Sequence, residues 1–180
     1  MLRSGLVALA GRPNVGKSTL ANALAGAHVA AVSPRPQTTR RRVLAVARGD
    51  GWQAVLLDLP GFQRPADRLT ERMQDTVDRT VADTDAALFV LNAAEEVGRG
   101  DRFIAQRLVQ SGLPVVVVVN QVDRVERERI AATIARASEL VPGFRAIHPV
   151  SALTGEGLDG LRAEFPSLLP EGPAYFPEGV

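Results

Sequence analysis

The chain has no cysteine, only two histidines, few aromatic residues (4%) and a single lysine, Lys17, among 21 basic residues. Without cysteine there is no disulfide and no thiolate metal site, although that alone does not fix the compartment. His28 and His148 stand in no carboxylate pattern that would suggest a triad or a metal site. No apolar run approaches the roughly 18 residues that a membrane span requires. Met1-Leu2-Arg3 leads into an apolar run too short for a secretory signal, and a strand is the better reading. A net charge of +1 gives no global reason to expect nucleic acid or a membrane as partner. What is present is ordinary for a globular chain: 180 residues, 46% hydrophobic and 23% charged, long enough for one domain with a sizeable core. There is no internal repeat and no low-complexity segment, and the cytoplasm is the default expectation.

The one lysine lies in Gly11-Arg12-Pro13-Asn14-Val15-Gly16-Lys17-Ser18, which fits G-x-x-x-x-G-K-[ST] without a mismatch. By average residue usage the pattern arises by chance in roughly one chain of this length in a hundred or fewer. It reads as a phosphate-binding loop. Its glycines let several N–H groups converge on one anion, and the helix that follows points its positive end at the same place. Lys17 would reach the β- and γ-phosphates, the Ser18 hydroxyl would ligate Mg²⁺, and Val15, Gly16 and Thr19 complete the cradle. A composition that uses arginine at every other basic position keeps lysine where a compact ammonium on a flexible stem cannot be exchanged for a planar fork.

The elements alternate. A strand over 5–10 precedes the loop, and a helix over 18–25 follows it, with Gly26 as its stop. Residues 32–42 read as loop. Strands over 43–47 and 52–58, joined through Arg48-Gly49-Asp50-Gly51, read as an antiparallel hairpin. A polar loop to about 67 and a helix over about 68–82 come next. Strands over 86–91, 115–119 and 146–150 then alternate with helices over 101–110, 126–140 and 158–168. Five consecutive valines, Val115 to Val119, have no polar face, as a strand covered on both sides requires. The tail 169–180, with three prolines and two glycines, reads as a linker outside the core. The expected fold is α/β: six strands, mostly parallel with one antiparallel, and helices on both faces. Ligands of such sheets sit outside the carboxyl ends of the strands, where this chain carries Gly11, Asp58, Asn120 and Ser151.

Asp58 ends an apolar strand where a Walker-B carboxylate would hold Mg²⁺ through water, and Gly61 offers a backbone N–H to a γ-phosphate. In Asn120-Gln121-Val122-Asp123, the Asp123 carboxylate can accept from guanine N1–H and N2–H₂. Asn120 can meet the Hoogsteen edge and tie neighbouring loops together. Adenine offers no matching donor pair, so such a site selects guanine. A backbone N–H of Ser151-Ala152-Leu153 can meet the guanine carbonyl. Thr38 or Thr39 can close over the γ-phosphate. Each of these also has an ordinary explanation as a turn, cap or polar loop.

The order G-R-P-N-V-G-K-S, Q-T-T-R, D-x-P-G, N-x-x-D, S-A resembles the TrmE-Era-EngA family of P-loop GTPases, and in particular its Era-type members. Pro34-Arg35-Pro36-Gln37-Thr38-Thr39-Arg40 is similar to their first switch, and 169–178 to the hinge after their GTPase domain. The resemblance implies a Ras-like GTPase domain over 1–169 and a hinge over 170–180. It implies GTP and GDP as ligands and Mg²⁺ held by Ser18, Thr39 and Asp58. Lys17, Thr39, Gly61 and Asn14 would be the catalytic group. It implies a monomer, in the cytoplasm or peripherally associated with the inner membrane, serving small-subunit (16S) rRNA maturation. The family's KH domain, which binds that rRNA and the 30S subunit, is absent from these 180 residues. Phe62 stands where Ras-like enzymes keep a water-orienting glutamine. Relatives with a hydrophobic residue there rely on K⁺, which implies a K⁺ role for Asn14. Two residues depart from the family: Leu59 replaces a threonine, and Gln121 replaces the lysine whose stem covers the base, which predicts weaker nucleotide binding. The basic cluster Arg35, Arg40, Arg41 and Arg42 reads as a solvated loop. On residues alone, a nucleotide-gated binding module and a P-loop ATPase or kinase remain open alternatives.

Overall fold

A computed structural model describes residues 1–26, 42–59 and 81–177. β1 (Arg3–Ala10) leads into α1 (Lys17–Ala25), and Gly26, left-handed at φ 75°, caps the helix with its N–H on Asn22 and Ala23 carbonyls. β2 (Arg42–Gly49) and β3 (Trp52–Asp58) form the expected antiparallel hairpin, turned through Asp50 and Gly51 (φ 76°), with a register shift between Val43 and Ala45. β4 (Ala86–Asn92), α2 (Arg99–Ser111), β5 (Val115–Asn120), α3 (Arg127–Leu140) and β6 (Ala146–Pro149) follow. The helix expected over 68–82 lies outside the described residues except for its end.

The strands are ordered β2-β3-β1-β4-β5-β6, and every neighbouring pair except β2–β3 is parallel. Strands buried on both faces still alternate, and their odd and even residues feed two separate cores. Val7, Leu9, Leu88, Val90, Val116 and Val118 face α1 and the C-terminal helices. Ala8, Ala10, Phe89, Leu91, Val115 and Val117 face α2 and α3, meeting Ile104, Leu108 and Ala137. Of the five valines, Val116 and Val118 serve one core, Val115 and Val117 the other, and Val119 a smaller cluster with Ala93 and Val122, which is why none could be polar.

The final helix differs from expectation. It is two short pieces, α4 (Leu158–Arg162) and α5 (Phe165–Leu168). Pro166 has no N–H to give to the Arg162 carbonyl one turn back, and its ring crowds that carbonyl, so the ladder breaks between them. Glu164, at the break, lies 2.9 Å from the His148 ring on β6. The stretch after it is docked rather than extended away. Leu169 is buried, Ser4 N–H donates to the Pro170 carbonyl, and Arg3 and Glu171 form an antiparallel bridge. Buried Gln53 then grips the chain, its amide accepting from the N–H groups of Tyr175 and Phe176 and donating to the Phe176 carbonyl. Among the described residues no helix is long and apolar enough to cross a membrane.

Candidate functional site

Because β1, β3 and β5 are parallel, the residues that follow or end them come out on one edge of the sheet. From β1 the chain passes through two left-handed residues, Asn14 (φ 70°) and Gly16 (φ 92°), before α1 begins at Lys17. That alternation turns successive N–H groups inward to make an anion nest. Both glycines are needed. A Cβ on Gly16 would come within 2.6 Å of the Asn120 amide nitrogen, and one on Gly11 within 2.7 Å of the Val90 carbonyl.

Lys17 Nζ lies 3.0 Å from Asp58 at the end of β3, with both side chains largely buried. Ser18 follows Lys17 in the first turn of α1, and Asp58 ends β3. Hard oxygen donors of this kind suit Mg²⁺, which keeps several waters and leans on substrate phosphates. Among the described residues no three His, Cys, Asp or Glu side chains gather to form a metal cage. The Asp58 carboxylate, a hard oxygen donor beside Lys17, is of the kind that such an ion takes.

The end of β5 is joined to the loop after β1 through Asn120. Its side chain is buried at the end of β5, donating to the Val15 carbonyl at 3.0 Å and accepting from Ala152 N–H at 3.1 Å. One amide thus ties the phosphate loop to the segment after β6. Ala152 N–H is engaged by Asn120, while Leu153 is 80% exposed. Gln121 sits left-handed (φ 67°), its side chain donating to the Asn14 carbonyl at 3.4 Å and accepting from Arg124 at 2.8 Å. Asp123 lies in a 3₁₀ turn (Val122–Arg124), and its Oδ1 accepts the Ser151 hydroxyl at 2.8 Å. Ser151 Oγ accepts Thr154 N–H in turn, and fully buried Ser151 thereby fixes the orientation of the carboxylate.

Hydrogen bonds join Asn14, Val15, Asn120, Gln121 and Ala152, and Asp123 to Ser151; Lys17 pairs with Asp58, and Gly11 and Gly16 lie in the same loop. Ser18 and Thr19 lie in the first turn of α1 beside them. Thr38, Thr39, Gly61 and Phe62 lie outside the described residues, as do His28, Arg35, Arg40 and Arg41. Three side chains carry roles that the sequence patterns do not reveal. The Ser151 hydroxyl orients Asp123; Arg124 donates to Gln121; and Arg12, at a variable position of the loop pattern, pairs with Asp101 and Glu95. Only Arg124, three residues beyond Gln121 in a turn, left a local signal.

Comparison with known proteins agrees with this geometry. A family model described as "50S ribosome-binding GTPase" matches residues 6–121. GTPase Era of Mycobacterium bovis is 44% identical over 179 residues, covering 98% of this chain and 60% of its own length. GTPase Era of Clostridium botulinum is 42% identical over 180 residues, again 60% of its length. The chain therefore spans about three fifths of these relatives. Among solved structures, a single-residue variant of Aquifex aeolicus Era bound to GDP·AlF₄⁻ superposes with a TM-score of 0.80 at 36% identity, over 99% of this chain and 61% of that one. Era in complex with MgGDPNP and nucleotides 1506–1542 of 16S ribosomal RNA superposes at 0.82 and 36% identity, over 100% and 61%. With its phosphate loop, its base-side carboxylate and its six-stranded sheet in the Ras-like arrangement, the chain belongs to the P-loop GTPase family that this model describes, and its domain is of the Era type.

Proposed function

We propose that the chain binds guanine nucleotides and hydrolyses GTP, as the switch domain of an Era-like factor that acts in maturation of the small ribosomal subunit and its 16S rRNA. The observation that carries this is the bridge through Asn120. It sets the phosphate nest and the Asp123 carboxylate at the two ends of one connected site, as a single nucleotide requires. Its relatives' complexes with GDP·AlF₄⁻, MgGDPNP and an rRNA fragment support the ligand and the partner.

The amides of the loop and the Lys17 ammonium hold the β- and γ-phosphates and stabilise charge as it shifts in the transition state, while water attacks in line. Ser18, Asp58 and Thr39 would hold Mg²⁺, which when bound supplies charge neutralisation between the phosphates. Asp123, held by Ser151, reads the N1–H and N2–H₂ of guanine. Gly61 N–H senses the γ-phosphate, and Leu153 N–H is offered to the guanine carbonyl. With a phenylalanine at 62, the chain depends on K⁺ near Asn14 to assist hydrolysis, and turnover of the isolated domain is slow. It works as a cytoplasmic monomer, and its macromolecular partner is the small-subunit rRNA with which a related Era was solved.

Affinities for GTP, GDP, ATP and XTP test the assignment. GTP and GDP bind, ATP at equal concentration does not compete, and XTP binds poorly until Asp123→Asn reverses the preference. Effective ATP competition would overturn the guanine reading. Steady-state hydrolysis is expected to be faster in K⁺ than in Na⁺, and equal rates would remove Asn14 from its role.

A further inference from the structure

Arg12 occupies a position of the loop pattern to which no side-chain role attaches, yet two carboxylates anchor it. Its Nε donates to Asp101 Oδ1 at 2.8 Å and an Nη lies 3.1 Å from Glu95, while Asp101 is fully buried at the first turn of α2. The second oxygen of Asp101 accepts Gly98 N–H at 2.9 Å, closing that turn as a cap. The methylenes of Arg12 lie over Gly100, where a Cβ would come within 2.9 Å of its Cδ. A buried carboxylate is tolerated only when it is both paired and hydrogen-bonded, and Arg12 is the ionic half of that arrangement. Two carboxylates in different directions call for a planar fork, which an ammonium does not supply.

We propose that Arg12 is a positioning residue for nucleotide binding. The ion pair with buried Asp101 bolts the outer turn of the phosphate loop, residues 11–13, to the head of α2, so that the N–H groups of 14–17 are aimed before a phosphate arrives. Preorganisation of this kind removes an ordering cost from binding and leaves the base contacts untouched. The proposal rests on the nucleotide reading and deepens it.

The test uses the full chain. Arg12→Ala and Asp101→Asn, the latter keeping an oxygen for the Gly98 cap, are titrated with GDP and with IDP, which lacks the 2-amino group. Amide hydrogen exchange of residues 11–18 is followed without nucleotide. Both variants should lose about tenfold in GDP affinity, the size expected for one charged hydrogen bond. The GDP-to-IDP ratio should stay unchanged, loop exchange should accelerate, and Arg12→Lys should fall between variant and parent. If Arg12→Ala does not fold, Arg12→Lys and Asp101→Asn decide. Parental GDP affinity in the variants would overturn the brace. So would a loss that shifts the GDP-to-IDP ratio, or one with faster exchange in α2 and none in the loop. A parent that binds no GDP would sink the nucleotide reading instead, and the exchange comparison would still decide the brace.

Discussion

At the scale of single residues, Gln121 joins the end of β5 to the loop after β1 through a neutral amide. Its amide reaches the Asn14 carbonyl at 3.4 Å, a long contact, and its oxygen takes up Arg124. The neutral amide bridges the base side to the phosphate loop, but without the charge of an ammonium. Gln121→Lys should therefore tighten GDP binding by about 1–2 kcal/mol, the worth of one hydrogen bond gaining a charged partner. Calorimetry on the two proteins checks it, and equal or weaker binding by the lysine variant would refute it.

The decisive element is the turn between β1 and α1. It holds its shape because Gly16 takes a φ of 92° and leaves room for the Asn120 amide, 2.6 Å from where a Cβ would stand. Gly16→Ala meets two penalties there. The left-handed backbone costs an L-residue about 1–2 kcal/mol, and the methyl displaces the amide that joins both halves of the site. GDP affinity should fall about five- to thirtyfold from the backbone term alone, since about 1.4 kcal/mol is a factor of ten. Far-UV circular dichroism should be unchanged, because Gly16 precedes the helix. Undiminished GDP affinity would mean that the turn does not shape the site.

For the molecule as a whole, the two cores on either face of the sheet hold the strand ends in register. Phe89, fully buried on β4, fills the core shared with Ile104 and Leu108 of α2 and Val117 of β5. Phe89→Ala should lower unfolding stability by about 3–5 kcal/mol, as for other large-to-small changes in packed cores. Urea denaturation measures it, and a loss below about 1 kcal/mol would mean that this core collapses onto the void.

The order of the described elements and the antiparallel hairpin were legible in the sequence because they rest on short-range physics, whereas the strand order of the sheet and the break before Pro166 were not. Glycines mark where the backbone must turn, alternation separates edge from centre, and a run of five valines admits only a strand covered on both faces. The turn between β1 and α1 was legible for a related reason, since the residues that take left-handed torsions there lie within eight consecutive positions. What only the tertiary structure decided lies between distant partners. Arg12 and Asp101 are 89 positions apart, and Asn120 and Val15 are 105 apart. Ser151 turns its hydroxyl to a carboxylate 28 positions earlier, and Gln53 seizes a backbone 122 positions later. A local pattern records the torsions a segment can adopt. Which side chain satisfies a buried charge or a free N–H depends on what the folded sheet brings beside it, and no spacing along the chain carries that information.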